Sequence, residues 1–335
     1  MDAKTDLFKE MEEELLKSKI PEFENETQNF FCEVDLEIPE NAQEKDFPFA
    51  PTTREVHYNE MSNIQKFDYR KNLKTKTIPE TLPNKKLVAD FVKKEKYVIH
   101  ADHLRFLLKH GVKITKVHRI LIFKQKPFLK DWVDFCTEQR NMATTEAESS
   151  FWKLLVNSTY GKMIENIENY STMKIVIGPP SELLKASSHF RWKNSIIINE
   201  NTSIQMYHPA VYTYNKPIGS GFAVLEYSKL KMAEHWIFIK EKWGERCNLL
   251  YTDTDSFVIG VYSNDISSDL KKINEICDFS DQKNTNHFSE MNEGVLGVLK
   301  IDTGQKIPEV SIWLYVSICQ RWNFFFLKKF DLSND

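Results

Sequence analysis

The segment Leu249–Ile259 constrains the fold of this chain more than any other stretch. Its sequence is Leu-Leu-Tyr-Thr-Asp-Thr-Asp-Ser-Phe-Val-Ile, two apolar runs separated by acids at Asp253 and Asp255. Burying bare carboxylates costs several kcal/mol unless a positive group meets them. A strand–turn–strand solves this problem, because the flanks can pack while the acids project from the tip. Hard cations such as Mg²⁺ bind such oxygen ligands and keep positions for phosphates. An ordinary hairpin with an acidic turn is the simpler alternative, since Asp favours turns.

A second group of functional side chains lies on a predicted helix over 146–167. Lys153, Asn157, Tyr160 and Ile164 recur at helical spacing and share one side of that helix. A lysine there could hold a triphosphate as a point charge, and Tyr160 could support an incoming base. Gly161 would let nucleic acid approach closely. The alternative is the solvated face of an ordinary amphipathic helix.

Arg140 ends the preceding predicted helix, over 131–140. Its guanidinium could add a phosphate contact, because its donors match phosphate oxygens. Taken alone, Arg140 is better interpreted as a surface charge.

Composition narrows the class of protein without deciding the function. The chain has 335 residues, 28% of them charged, and a net charge of −3, so a nucleic-acid site has to be a local patch. No stretch is long and apolar enough to span a bilayer, and residues 1–19 read as an acidic amphipathic helix, not a signal peptide. The five cysteines are scattered and form no Cys-x-x-Cys pair, so the sequence predicts neither a zinc site nor a disulfide framework. This cysteine usage is compatible with a reducing intracellular compartment.

Periodicity predicts the other elements. Residues 1–19 have Leu7, Met11, Leu15 and Leu16 on one side. Strands are predicted over 29–38, 97–100 and 114–123, and helices over 104–110 and 225–242, each of the two helices closed by a glycine. Residues 40–54 read as a loop and 171–223 as strand-rich. The fold class predicted is therefore α/β of the α+β type, with the 225–242 helix backing the sheet that carries the acids.

Both motifs resemble family B DNA polymerases. Tyr-x-Asp-Thr-Asp-Ser is similar to their third palm motif, and Lys-x-x-x-Asn-Ser-x-Tyr-Gly is similar to their fingers motif, which precedes it here by about ninety residues in the family's order. Further segments resemble the protein-primed branch, which includes organellar, viral and Maverick/Polinton-type polymerases: 33–37, 97–100, 116–119, 123–125 and 215–218.

The resemblance implies an architecture and a set of roles. The architecture is a partial polymerase right hand. It has a palm remnant and pre-fingers insertion over 1–130, helical-hairpin fingers over 131–168, a second insertion and antiparallel palm sheet over 169–300, and a degenerate or truncated thumb start over 301–335. Asp253 and Asp255 would be the catalytic acids at a site for two Mg²⁺ ions (Mn²⁺ as a substitute). Nucleotide contacts would come from Arg140, Lys153, Asn157 and Tyr160, and primer or template contacts from Tyr251, Thr252 and Gly161. The implied partners are a DNA primer-template, dNTPs and a terminal protein primer, with no membrane.

The chain departs from the family pattern at both ends. The family needs another palm carboxylate from an Asp-x-x-Ser-Leu-Tyr-Pro motif upstream of the fingers, and no such motif is present; Asp35 does not lie in one. The family's Lys-x-Tyr element has only Trp313-Leu314-Tyr315 as its nearest match. We therefore expect an internal piece of a polymerase, from a cut gene or a decayed mobile element, with little or no activity alone.

Two alternatives remain at this point. One is a non-catalytic nucleic-acid-binding remnant with the same fold, and the other is a structural α/β domain whose acids only form a turn. A reverse transcriptase would also have paired aspartates, but it lacks the Asn-Ser-x-Tyr-Gly helix.

Overall fold

A computed structural model gives the structure of the chain. It describes residues 6–23, 27–40, 47–48, 50–73, 78–82, 84–253, 255–293, 295, 297–301 and 322–329. The chain divides into two compact units. The first unit comprises residues 1–131 and 225–335, and the second comprises residues 132–224.

An antiparallel sheet of three strands organises the start of the first unit. Its central strand β1 (Gln28–Glu37) pairs with β4 (Lys94–His100) on one side and β5 (Lys113–Lys124) on the other. Along β1, Cys32, Val34 and Leu36 are fully buried and alternate with more exposed residues. This alternation is the pattern that predicted the strand, and all three predicted strands of this region are confirmed.

Two helices accompany this sheet. Helix α1 (Asp6–Leu16) buries Phe8, Met11 and Leu15. The predicted apolar face was wrong in part, because Leu7 and Leu16 are 41% and 44% exposed. Phe8, Met11 and Leu15 are spaced by three and four residues and so form the continuous stripe. Helix α3 (Ala101–Lys109) confirms the predicted helix, and Gly111 follows it at φ +93°, a conformation that favours glycine.

Between β1 and β4 lies a small charged subdomain. Strand β2 (Thr52–Arg54) pairs with β3 (Lys86–Val88), and helix α2 (Asn63–Asn72) and a 3₁₀ turn (Tyr58–Glu60) lie between them in the sequence. The predicted loop over 40–54 was wrong at its end, where β2 forms; residues 41–46 and 49 lie outside the described residues. Arg54 bonds to both Glu60 and Asp90, which connects the two strands through charge.

The second sheet of this unit carries the acidic segment. Its strand order is β11 (Cys277–Asp278), β12 (Leu299–Ile301), β13 (Trp322–Lys329), β10 (Ser256–Tyr262) and β9 (Cys247–Asp253). The pairing is antiparallel except between β11 and β12. A short helix, α8 (Ile266–Lys271), follows β10. Residues 322–329 of the expected thumb start thus form a strand of this sheet, while Trp313-Leu314-Tyr315 lies outside the described residues.

The long helix α7 (Ile218–Trp243) contains the helix predicted over 225–242. It begins seven residues earlier than predicted, directly after Pro217, because proline is compatible with a helix start. Gly244 follows its last residue at φ +57°. The predicted stop at this glycine is confirmed.

The second unit contains a helical hairpin and a small sheet. Helices α4 (Lys130–Met142) and α5 (Glu146–Met163) are joined by a short turn, and Thr145 caps α5 by accepting a hydrogen bond from the Glu148 N–H. The predicted end of α5 at Ile167 was wrong, since residues 167–169 form a separate 3₁₀ turn. The sheet has the order β6 (Thr172–Ile177), β8 (Thr202–Tyr207), β7 (Trp192–Asn199), and helix α6 (Pro180–Ser187) interrupts the strand-rich segment.

The architecture is a mixed α/β fold with mainly antiparallel sheets, and eight α-helices occur among the residues that the structure describes. This agrees with the predicted α+β class. The polymerase right hand and its subdomain boundaries stay predictions. Within the described ranges, no helix is both long enough and apolar enough to cross a membrane.

Candidate functional site

The acids lie at the tip of a β-hairpin. Strands β9 and β10 pair antiparallel with Asp253 opposite Ser256, and Asp255 lies in the turn between them. The side chain of Asp255 is partly exposed. Thr254 and the side chain of Asp253 lie outside the described part of the structure. The strand–turn–strand predicted from the two apolar runs is therefore present in the backbone.

The two residues before the acids occupy different environments. Tyr251 is 59% exposed, as a residue that contacts a bound partner has to be before binding. Thr252 is partly buried, and its hydroxyl donates to the carbonyl oxygen of Ser256 across the hairpin at 3.1 Å. This bond holds the two strands together next to the turn, so Thr252 has an intrachain role beside its predicted primer contact.

Helix α7 packs against one side of this hairpin. Phe257, Ile259 and Val261 of β10 are fully buried, as expected for alternate residues of one strand face. The Trp236 ring of α7 lies 5.9 Å from the Phe257 ring in an edge-to-face arrangement. The predicted backing of the acidic hairpin by this helix is confirmed.

A charged cluster fixes the other end of the hairpin. We call Asp269, Arg246, Ser263 and Lys272 the Asp269 cluster. The Asp269 carboxylate accepts two hydrogen bonds from Arg246 (2.9 and 3.3 Å), one from the Ser263 hydroxyl (2.6 Å) and one from Lys272 (2.6 Å). Arg246 directly precedes β9 and Ser263 directly follows β10. One carboxylate on α8 therefore joins both ends of the hairpin.

The Asp269 cluster shifts the titration of its central acid. Burial by itself would raise the pKa of Asp269, but the hydrogen bonds from Arg246, Lys272 and Ser263 and the Arg246 charge outweigh it and lower the pKa to about 2. Asp269 is therefore ionised at neutral pH, and its charge stabilises the folded hairpin.

The predicted nucleotide-binding residues lie on the helical hairpin of the second unit. Lys153 and Tyr160 on α5 are partly buried, whereas Asn157 is exposed. Burial raises the pKa of the Tyr160 hydroxyl, so it stays neutral and able to donate. Lys153, Asn157 and Tyr160 lie on α5 at the helical spacing that predicted a shared side, whereas Ile164 follows the last residue of this helix.

Gly161 is exposed, and a Cβ atom built on it would have no atom within 4 Å. No packing within the described residues therefore requires glycine at this position of a helix, where glycine costs about 0.5–1 kcal/mol relative to alanine. Close approach of a ligand to the backbone would be one reason for a glycine here, and the open space around Gly161 permits such an approach.

Arg140 has a structural contact in addition to its predicted role. Its Nε donates to the Ser149 hydroxyl at 3.2 Å, which joins α4 to α5. The same two helices are joined by a hydrogen bond from the Trp132 indole to the Thr159 hydroxyl at 3.0 Å and by an edge-to-face contact between Phe135 and Trp152 at 5.7 Å. The helical hairpin is thus a defined element that positions the α5 residues.

The predicted site residues fall into two groups. The nucleotide-binding group, with Gly161, belongs to the second unit, and the acids with Tyr251 and Thr252 belong to the first. Each group lies within a single unit. The convergence of the two groups on one nucleotide stays a prediction.

A buried polar cluster around Glu226 was not predicted from the sequence. Glu226 of α7 is 1% exposed, accepts a hydrogen bond from the His100 N–H at 3.2 Å, contacts His103 Nδ1 at 3.0 Å and pairs with Lys229. Lys229 also donates to the Tyr97 hydroxyl at 3.3 Å. Burial would raise the pKa of Glu226, but the His103 hydrogen bond and the neighbouring charges lower it overall. The signal available in the sequence was an acid within the apolar pattern of the 225–242 helix.

The donor chemistry of the hairpin suits a hard cation. Carboxylate oxygens are the ligands that Mg²⁺ prefers, and the hairpin has one acid at a strand end and one in the turn. Over the side chains that the structure describes, which leave out Asp253, no group of three or more His, Cys, Asp or Glu residues could hold a metal ion. The fit of Mg²⁺ therefore rests on the two hairpin acids.

Comparison of the chain with protein-family models, with curated proteins and with solved structures gives no match.

Proposed function

We propose that this chain carries the nucleotide-binding and metal-binding core of a DNA-directed DNA polymerase of the protein-primed family B lineage. The observation that supports this most is the β9–β10 hairpin, which has Asp253 at a strand end and Asp255 in the turn. The motif of this hairpin follows the fingers motif by about ninety residues. The fingers motif lies on α5, a helix capped by Thr145 and part of the α4–α5 helical hairpin.

Each group of residues has a separate task in this proposal. Asp253 and Asp255 provide carboxylate oxygens for Mg²⁺, which when bound activates a primer hydroxyl and neutralises the leaving pyrophosphate. Lys153 and Arg140 hold the triphosphate, and Tyr160 and Asn157 position the base and sugar. Positioning and charge stabilisation supply most of the rate in phosphoryl transfer, so residues that hold the triphosphate matter as much as the acids.

The direct test is dNTP binding to the full chain in the presence of Mg²⁺, measured by isothermal titration calorimetry. Lys153→Ala should weaken binding about tenfold or more, because one charge-assisted contact to a phosphate is lost. Lys162→Ala is the matched control: Lys162 is an exposed lysine on the same helix, paired with Glu165, and its removal should leave binding unchanged. Equal binding by Lys153→Ala and the parent would remove Lys153 from the nucleotide site.

Primer extension with Mg²⁺ or Mn²⁺ tests catalysis separately. We expect little or no incorporation by the chain alone, since the sequence contains no first palm motif to add a carboxylate. Robust incorporation that Asp255→Ala abolishes would establish catalysis and overturn the expectation of little or no activity. DNA binding without any nucleotide binding would instead favour a non-catalytic nucleic-acid-binding remnant.

A further inference from the structure

The junction between α6 and β7 presents exposed aromatic rings beside positive charges. Residues 189–193 read His-Phe-Arg-Trp-Lys, and we call this segment the aromatic junction. Phe190 is 89% exposed, and Trp192 is 38% exposed. A phenyl ring in water is unfavourable by the hydrophobic effect, so such exposure in an ordered segment is a candidate contact point.

Two neighbouring side chains lie beside the Phe190 ring. The His189 ring stacks beside it with centroids 4.8 Å apart and planes at 24°, and the Arg191 guanidinium lies 5.8 Å from its centre. His189 in turn meets the Tyr207 ring edge-to-face at 5.4 Å. Since these neighbours leave Phe190 almost fully exposed, its ring is available for stacking with an external partner.

The backbone beneath the aromatic junction is equally well defined. The Trp192 N–H donates to the His189 carbonyl at 2.8 Å, which closes a turn, and the His208 N–H donates to the Arg191 carbonyl at 2.7 Å. Arg191 Nη1 donates to the His208 carbonyl at 3.3 Å, and the Trp192 indole donates to Gln205 at 3.0 Å. The aromatic junction is therefore attached to strand β8, so little conformational entropy remains to be lost when a ligand binds.

The charge of this part of the chain is positive, in contrast with the chain as a whole. The net charge of the whole chain is −3. Residues 171–217 contain five lysines or arginines and two glutamates: Lys174, Lys185, Arg191, Lys193, Lys216, Glu182 and Glu200. The aromatic junction itself contributes Arg191 and Lys193 and no acid. A polyanion is therefore attracted to this segment more than to a chain surface of average charge.

We infer that the aromatic junction binds single-stranded nucleic acid, with a base stacked on Phe190 and the backbone phosphates near Arg191 and Lys193. Exposed rings interleaved with cations are the pattern that binds single strands without sequence preference, because every base has a π-face. A duplex is a poorer ligand, since its base faces are covered by neighbouring pairs. This site is distinct from the proposed nucleotide site on α5.

Fluorescence anisotropy of the full chain with a labelled dT15 oligonucleotide tests this inference. Phe190→Ala should weaken binding roughly fivefold or more, because fivefold corresponds to the lower end of the binding free energy that one base–aromatic stack contributes. Phe190→Trp should restore it. An abasic oligonucleotide of the same length should bind the parent and Phe190→Ala equally, because it has phosphates but no base to stack.

Three further measurements separate this site from its alternatives. Leu184→Ala, at a 69%-exposed apolar residue of α6, is the matched control and should bind dT15 as the parent does. The affinity of the parent chain for a dNTP with Mg²⁺ is measured in parallel, and dT15 binding without any dNTP binding counts against the proposed function and not against this site. Equal affinity of Phe190→Ala and the parent for dT15, or tighter binding of a duplex of the same length, would overturn the inference.

Discussion

Removal of the Asp269 charge should loosen the base of the acidic hairpin. Asp269→Asn keeps the shape of the side chain but removes the charge that Arg246 and Lys272 face. The folded-state pKa of Asp269 is about 2 and its ordinary value is 3.8. Converted at about 1.36 kcal/mol for each pKa unit, this difference corresponds to a stabilisation on the order of 2 kcal/mol at neutral pH. The Asp269 side chain is 7% exposed, but those of Arg246 and Lys272 are 41% and 49% exposed, so solvent screening makes this figure an upper value.

The pH dependence has a definite sign. Because the folded-state pKa is lowered, the stabilisation is fully present above the ordinary value of 3.8 and is lost as the pH falls toward about 2. Urea unfolding followed by far-UV circular dichroism should therefore show Asp269→Asn to be less stable than the parent at pH 7, with most of the difference gone near pH 2. Glu275→Gln, at an exposed acid of the same region, is the control and should unfold like the parent. Equal stability of Asp269→Asn and the parent at pH 7, or a difference that does not change with pH, would refute the reasoning.

Two other substitutions probe the packing and the backbone near the predicted site. Trp236→Ala should lower the free energy of unfolding by about 3–5 kcal/mol, because it removes a fully buried ring that contacts Phe257. Thermal or urea unfolding measures this loss, and a loss below about 1 kcal/mol would mean that α7 does not support the hairpin. Gly161→Ala should raise helix stability by about 0.5–1 kcal/mol, since a Cβ meets no neighbour, while weakening primer-template binding in an anisotropy assay. Unchanged primer-template binding would show that nothing approaches the backbone at this glycine.

Local patterns in the sequence were sufficient to predict most elements. The alternation along 29–38 predicted β1, and the apolar runs around Asp253 and Asp255 predicted the hairpin, because in both cases the signal lies within one element. Gly111 and Gly244 marked helix ends through a conformation that other residues avoid. The start of α5 also has a local basis, because the Thr145 side chain accepts a hydrogen bond from the Glu148 N–H.

Features that depend on distant contacts were not predictable in this way. Asp269 and Arg246 are 23 residues apart, and Glu226 and His103 are 123 apart, so no local period reports either pair. Helix α6 was missed because it has only eight residues, begins at Pro180 directly after Pro179, and lies inside a strand-rich segment. The sequence contains the rings and cations of the aromatic junction, but the exposure of Phe190 depends on how the surrounding strands fold.

The central claim is that the fingers helix and the acidic hairpin bind the same nucleotide. Paramagnetic relaxation enhancement with a dNTP and substoichiometric Mn²⁺ tests this claim most directly, because Mn²⁺ broadens the NMR signals of nearby residues. We predict that signals from Asp255 and from the α5 residues Lys153 and Asn157 broaden together, and that Mg²⁺ in excess reverses the effect. Broadening of only one of these groups, or of neither, would contradict the account.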